Sequence, residues 1–454
     1  MKSKKASGIL KHFKGSVSKE DRYSYGRSLR EQCPIDAHAL TAIPDRENPI
    51  DLHLKSNKGR MSSLLSIRQE RMMESPFTFF RGSAGLMAAD LSKVPSTKMY
   101  LQACGDCHLL NFGGFATPER KLVFDINDFD ETSIAPWEWD LRRLAASFAI
   151  AGIDKGFSRS ESEAAALLTS NSYRTHMNEY AEMSALQIWY SQINLTDLIK
   201  SGKIKKAKQF DPEQIKKAIR RQPHIKEFAK LTYSKNGKPA IKDFPPLIYH
   251  FESDRQAEFH RQAECAFKRY LKTLSTEKKT LLQRYNLLDT AIKVVGVGSV
   301  GTQCGIMLLL SATGDPLFLQ FKEAKESVLE PFIGKSKFSN HGQRVVEGQK
   351  LMQSASDIFL GWTYDDTGKQ FYIRQLRDAK IRPDLENMTY DTFLTYARSC
   401  GWALSRAHAR TGDPAIISGY MGKKSFFDEA IAQFSIDYMH QNNEDYLLVK
   451  DSLC

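Results

Sequence analysis

The chain has no apolar run approaching the about eighteen residues that cross a bilayer, which sets aside a protein of membrane-spanning helices. The stretch from Met1 to Lys19 is polar and rich in Lys and Ser, without the apolar core of a secretory signal, so a cytoplasmic location is expected. Cysteine is sparse and odd in number: seven residues scattered from Cys33 to Cys454 exclude a disulfide framework and fit free thiols in a reducing compartment. No internal repeat is present, which removes solenoids and propellers.

What is present is enough apolar residue, 41% of 454, for two or three domains or for one two-lobed enzyme with insertions. The net charge of +12 has a local source in Lys200 to Lys242, with the runs Lys203-Ile204-Lys205-Lys206 and Lys216-Lys217-Ala218-Ile219-Arg220-Arg221. Such a surface attracts nucleic acid or an anionic surface, although it also reads as a solvated helix face, and no nucleic-acid module accompanies it.

Four regions follow from the pattern along the chain. Residues 1–60 read as a partly ordered basic leader, 61–290 as a loop-bearing helical lobe, 291–380 as a small sheet lobe, and 381–454 as helices completing the first lobe. Within them, Ser75 to Gly82 reads as a turn between two helices, Met99 to Cys104 and Lys121 to Phe124 as strands, and Ala164 to Ile292 as a mostly helical subdomain. Short strands with glycine turns are expected from Ala291 to Phe321, then a helix from Gly342 to Ser354 and strands at Ile358 to Trp362 and Phe371 to Leu376.

The strongest chemical signal is Cys104-Gly105-Asp106-Cys107-His108-Leu109-Leu110-Asn111. Asp106 and Asn111 have the D-x-x-x-x-N spacing of a kinase catalytic loop, where the aspartate accepts a hydroxyl proton and the asparagine offers an oxygen to magnesium. Leu122-Val123-Phe124-Asp125 then places a carboxylate at a strand end, followed by Asp128 and Asp130, an oxygen-rich group suited to a hard cation. Asp125 and Asp128 are the expected metal ligands with Asn111. An acidic turn capped by its own amides is the plainer alternative. Asp140, in Pro136-Trp137-Glu138-Trp139-Asp140, is expected either to hold the loop by its backbone or to be an ordinary acidic residue at a helix start. The C-x-x-C-H pattern of Cys104 to His108 also matches haem attachment, which the missing export signal disfavours.

The second signal is Gly296, Gly298 and Gly301 in a G-x-G-x-x-G run with Ser299, whose backbone amides can approach phosphates closely. A dinucleotide fold, and with it an oxidoreductase, requires a helix after Gly301 and a parallel sheet; a kinase lobe requires a strand and then a lysine on the next one. Leu317-Phe318-Leu319-Gln320-Phe321-Lys322 alternates as a strand ending in a lysine, which favours the second reading. Lys322 is then expected to bridge nucleotide phosphates and to pair with Glu347, with Lys325 and Glu330 as substitutes.

Ser75 to Arg81, Cys104 to Gly113, Leu122 to Thr132, Trp137 to Ser147, Gly342 to Met352 and Phe371 to Arg377 together resemble the bacterial domain-of-unknown-function 2252 family. More loosely, the Cys104 to Asn111 loop is similar to the H-G-D-x-H-x-x-N loop of aminoglycoside and choline phosphotransferases, with Cys104 where their pattern has histidine. That similarity implies an α+β, two-lobed protein-kinase-like fold with a large helical subdomain, using ATP and magnesium on an unidentified small-molecule or protein acceptor. A nucleotide-binding pseudokinase or an AMP transferase is the alternative within that fold. The parts run in an unusual order, loop and metal acids before the glycine run, and Tyr396 to Arg410 looks like the helix that leads into such a loop. Circular permutation accounts for this, since termini of compact domains often lie close together.

Overall fold

The structure is a computed structural model, and it describes residues 17–39, 42–196, 228–294, 301–376 and 381–453. In the N-terminal segment, read as a leader, helix α1 (Lys19–Ser28) packs so tightly on a C-terminal helix that a β-carbon on Gly26 would collide with the Ile416 carbonyl. The turn expected at Ser75 to Gly82 is itself a helix, α2 (Pro76–Gly82). Pro76 sits at its first position, where no amide partner is lost, and Ser75 and Thr78 cap each other's backbone amides.

Four short strands carry the candidate loop: β1 (Tyr100–Ala103), β2 (Phe112–Ala116), β3 (Leu122–Ile126) and β4 (Ser133–Pro136). β1 pairs antiparallel with β4, and β2 with β3, so the Cys104 to Asn111 loop leaves one ribbon and enters the other. Pro136 leads into α3 (Trp137–Asp154), whose residues are buried from Trp137 to Gly152: its second half is apolar and small, and its first half buries the charged Glu138, Asp140, Arg142 and Arg143. Helix α4 (Arg159–Ala181) begins at a capping box between Ser158 and Glu161 and packs on α3.

The region expected to be mostly helical from Ala164 to Ile292 is interrupted by strands. A hairpin forms from β5 (Thr232–Lys235) and β6 (Lys238–Ile241), and β7 (Ile248–Tyr249) joins the main sheet. The alternation Tyr233, Lys235 against Thr232, Ser234 is too short and polar to distinguish this hairpin from a charged helix. Helix α5 (Ser253–Lys272) is amphipathic, burying Phe259, Ala263, Ala266, Phe267 and Tyr270 along one stripe.

The main sheet continues through β8 (Tyr285–Lys293), β9 (Cys304–Ser311) and β10 (Pro316–Glu323), then helix α6 (His341–Met352), β11 (Gly361–Tyr364) and β12 (Gln370–Gln375). Its six strands run in the order β11-β12-β10-β9-β8-β7, and every pairing is antiparallel. After Gly301 comes strand β9 rather than a helix, which removes both features a dinucleotide fold needs. Phe321 and Phe371 join Met307 on the face packed against α5. Gln320 and Lys322 of β10, opposite Arg374 and Tyr372 of β12, occupy the other face.

The chain ends in α7 (Tyr390–Ala409), α8 (Pro414–Met421) and α9 (Phe426–Asp451). α7 packs on α4, and α9 lies against both α3 and α4, so the first and last thirds of the chain share one core. The result is a mixed α+β architecture of a helix-rich body and a curled antiparallel sheet.

Candidate functional site

The Cys104 to Asn111 loop is held from below by Asp140 of α3. Its Oδ2 accepts the Cys104 amide at 2.6 Å and its Oδ1 the Gly105 amide at 3.0 Å. Asp140 is in turn paired with His408 Nε2 of α7 at 3.2 Å, and the Tyr173 hydroxyl of α4 meets the other ring nitrogen at 2.9 Å. Gly105 has φ +85°, and a β-carbon there would collide with the Glu131 carbonyl, so both conformation and space call for glycine. Asn111 Nδ2 donates to the Asp106 carbonyl at 2.6 Å, closing the loop on itself and turning its amide oxygen the other way.

Asp106 is oriented by Arg143, whose Nε and Nη2 both reach Oδ1, at 2.9 and 2.5 Å. The same guanidinium donates to the Phe80 carbonyl at 3.0 Å and lies 4.3 Å from the centre of the Phe80 ring. The Oδ2 side faces His108 Nε2 at 3.7 Å, and about a fifth of the Asp106 side chain stays exposed. Burial, with Arg81 and Arg143 beside it, pushes the His108 imidazole well below its ordinary pKa and keeps it neutral.

The expected metal ligands divide. Asp125 is wholly buried: Arg406 Nη2 of α7 reaches its Oδ1 at 2.6 Å, the Ile126 amide donates to the same oxygen at 2.9 Å, and the Ser354 amide donates to Oδ2 at 2.8 Å. This carboxylate, expected as a metal ligand, joins β3 to α7 and to the end of α6. Asp128 and Asp130, on the turn just after β3, keep 36% and 25% of their side chains exposed. They face Lys322 of β10, which forms an ion pair with Asp130 and stands 3.8 Å from Asp128 Oδ2. Tyr372 of β12 donates to the other oxygen of Asp130 at 2.7 Å. Burial opposes ionisation of Asp130, but the Lys322 ammonium and the Tyr372 hydroxyl outweigh it and hold the carboxyl below its usual range. Burial likewise opposes the Lys322 charge, which Asp128 and Asp130 sustain above its ordinary value.

Glu347 is not the partner of Lys322. It lies on the outer face of α6, 3.4 Å from Lys350, with over a third of its side chain exposed. The inward residue one turn earlier is Arg344, which donates to the carbonyls of Thr132 at 2.5 Å, Asp130 at 2.8 Å and Lys325 at 2.9 Å. The two substitutes are engaged elsewhere: Lys325 donates to the Gly59 carbonyl at 2.5 Å, and Glu330 accepts the amides of Ser327 and Ser336. Glu131 is half-buried beside Arg344, Asp130 and Asp106, and desolvation raises its carboxyl to about 7.

Gly296, Gly298 and Ser299 lie outside the described residues, as does residue range 200–227 of the basic stretch. Gly301, the end of the glycine run, has φ +89° and its carbonyl accepts the Met61 amide at 2.7 Å. A β-carbon on it would stand 2.9 Å from Arg60 Cβ. The Arg60 guanidinium is within electrostatic reach of Glu131, Glu323 and Asp130, so the base of the glycine run is tied to the side of the acidic turn.

Among the described residues no group of three or more His, Cys, Asp or Glu side chains is placed to hold a metal ion. An apolar pocket lined by Phe259, Ala263, Met307, Phe321 and Phe371 lies between α5 and the sheet, on the face opposite Lys322. It is therefore separate from the charged groups. Sequence reasoning missed Arg143, Arg344, Tyr372 and Arg374; only the i, i+2 spacing of Tyr372 and Arg374 on a strand pointed to a shared face.

The family described as "Uncharacterized protein conserved in bacteria (DUF2252)" matches residues 60–451, and the chain belongs to it. No curated protein and no solved structure matches the chain.

Proposed function

We propose that the chain is an ATP- and magnesium-dependent phosphotransferase of kinase-like, circularly permuted architecture. The observation that carries this reading is the meeting of Lys322 with Asp130 and Asp128, the first pair being 192 residues apart in sequence. Phosphoryl transfer needs mainly positioning and charge neutralisation, and a strand lysine facing the acids that follow an Asp/Asn loop supplies both. The sheet lobe supports it: a glycine run between two strands, a lysine on the next strand, a helix and two more strands appear in the order a kinase lobe uses. The end of α7 also reaches the strand that enters the loop, since a β-carbon on Gly412 would stand 2.9 Å from Leu101 Cδ2. A kinase chain makes that junction covalently; relocating the termini turns it into a packing contact.

Asp106, aimed by Arg143, is assigned to orient the acceptor hydroxyl and take its proton on Oδ2. Asp128, Asp130 and the Asn111 amide are an all-oxygen donor set, and magnesium is commonly held by one or two carboxylates with phosphates and water completing its shell. Bound there, magnesium supplies neutralisation of the charge on the transferring group. Lys322, released from Asp130 toward the phosphates, and the glycine run around Gly301 hold the nucleotide.

The test is calorimetric titration of ATP with and without magnesium into the intact protein, Asp128→Ala and Lys322→Ala. Magnesium-dependent binding weakened by both substitutions supports the proposal; ATP binding that is absent, or indifferent to both, sinks it. A nucleotide-binding protein without turnover is the second reading, favoured by the double hydrogen bond that Arg143 makes to Asp106. Product analysis of any transfer reaction separates phosphoryl from AMP transfer, and a rate unchanged in Asp106→Asn removes the assigned base.

A further inference from the structure

Beside Asp106 stands a second guanidinium. Among the described residues Arg81, in the last turn of α2, makes no hydrogen bond and no ion pair, and its Nε is buried without a partner. Its carboxylate neighbours are Asp106 and Glu74, and Arg382 is a like charge nearby. Arg143, the other guanidinium beside Asp106, is committed to that carboxylate and to the Phe80 carbonyl. Next to Arg81, the imidazole of His108 is 4% exposed, and its Nδ1 is also buried without a partner.

Arg81 is half-buried, its Nε sealed without a partner, and buried polar groups are otherwise nearly always satisfied. An arginine left in this state fits a planar, two-oxygen anion, which its fork of N–H groups binds through parallel hydrogen bonds. In the tautomer that carries its proton on Nδ1, the His108 ring adds a donor. The carboxylate of Asp106 disfavours an anion placed against it, so the bound group has to sit on the Arg81 side while the rest of the molecule extends to Oδ2.

We propose that Arg81, with His108, forms an oxyanion subsite beside Asp106 that takes the phosphate or carboxylate of the acceptor, so that the acceptor is an anionic hydroxyl compound. The oxyanion subsite stands on the geometry of Arg81 alone; its assignment to the acceptor rests on the phosphotransferase reading. The same chemistry would suit the terminal phosphate of the nucleotide, and the experiment separates the two sources.

Inorganic phosphate and acetate are titrated by calorimetry into the full chain without nucleotide, and magnesium-ATP is titrated in parallel, for the intact protein, Arg81→Gln, Arg81→Lys and Asp106→Asn. Phosphate affinity is expected to fall about tenfold or more in Arg81→Gln, to survive in part in Arg81→Lys, and to rise severalfold in Asp106→Asn as the neighbouring negative charge is removed. Magnesium-ATP affinity is expected to stay within about twofold in both Arg81 variants. Absence of phosphate and acetate binding, or affinities unchanged in Arg81→Gln and Asp106→Asn, overturns the subsite. Loss of magnesium-ATP affinity in step with phosphate assigns the subsite to the nucleotide and overturns the acceptor. Arg81-dependent phosphate binding in a protein that binds no ATP keeps the subsite and removes the phosphotransferase reading. Should Arg81→Gln fail to fold, Arg81→Lys and Asp106→Asn carry the same comparison.

Discussion

Asp125 and Asp128 are three residues apart, of the same chemistry, at the end of one strand and on the turn after it, yet the fold uses them for opposite ends. Asp125 is sealed, and the guanidinium it neutralises is as buried as itself. Asp128 and Asp130 remain partly open and are met by a cation from another lobe of the molecule. A buried pair fixes structure because neither member has water as an alternative, whereas a partly solvated acid can exchange one cation for another. The two regions teach that burial, rather than the distance of the partner along the chain, separates an acid sealed in an ion pair from acids still open to solvent.

The comparison breaks most readily at Asp125. Asp125→Ala strands the Arg406 guanidinium in the core and is expected to cost about 3–5 kcal/mol in chemical unfolding. Replacing both, as Asp125→Leu with Arg406→Met, is expected to restore most of that loss, because two apolar groups leave no orphaned charge. If Asp125→Ala unfolds like the parent protein, the joint between β3 and α7 has been misread.

Glu131 sharpens the contrast on the open side. Its carboxyl is raised to about 7 mainly by burial, so between its ordinary value near 4.5 and that point the folded state holds a proton that the unfolded state has released. The stability it contributes is therefore present below about pH 4.5 and lost as pH rises through 7, amounting to about 2 kcal/mol once partial solvation is allowed for. In metal-free buffer, Glu131→Gln is expected to flatten that fall in unfolding free energy; an unaltered slope would show that Glu131 is ionised throughout.

The smallest effects belong to the exposed acids. Asp128→Ala and Glu347→Ala are each expected to change stability by about 0.5 kcal/mol or less, but only Asp128→Ala is expected to weaken magnesium-dependent ATP binding. A loss of nucleotide affinity in Glu347→Ala equal to that in Asp128→Ala would restore the helix glutamate to the site.

The loop was legible because its chemistry is local. Asp106 and Asn111 at a fixed spacing, and Gly105 before them, need no distant partner to be singled out, and Asp140 was readable as a loop holder because its helix start follows so closely. Lys322 was legible from strand alternation, since period two puts it on the face opposite Phe321. Glu347 was misplaced because a helix turns by about 100° per residue, and the acid favoured by type lay outward while Arg344 lay inward. The hairpin at Thr232 to Ile241 was read as helix because a short polar segment carries too little periodicity to choose.

By itself the sequence determined the α+β composition, the Asp/Asn loop, the acidic run after it and the strand that delivers Lys322. Only the tertiary structure decided which carboxylate is sealed, which one Lys322 meets, and that Arg81 stands beside Asp106 without a hydrogen-bond partner among the described residues. The reason is physical: local propensity follows from neighbours along the chain, whereas burial and charge pairing depend on groups that sequence places hundreds of residues away, such as Asp125 and Arg406.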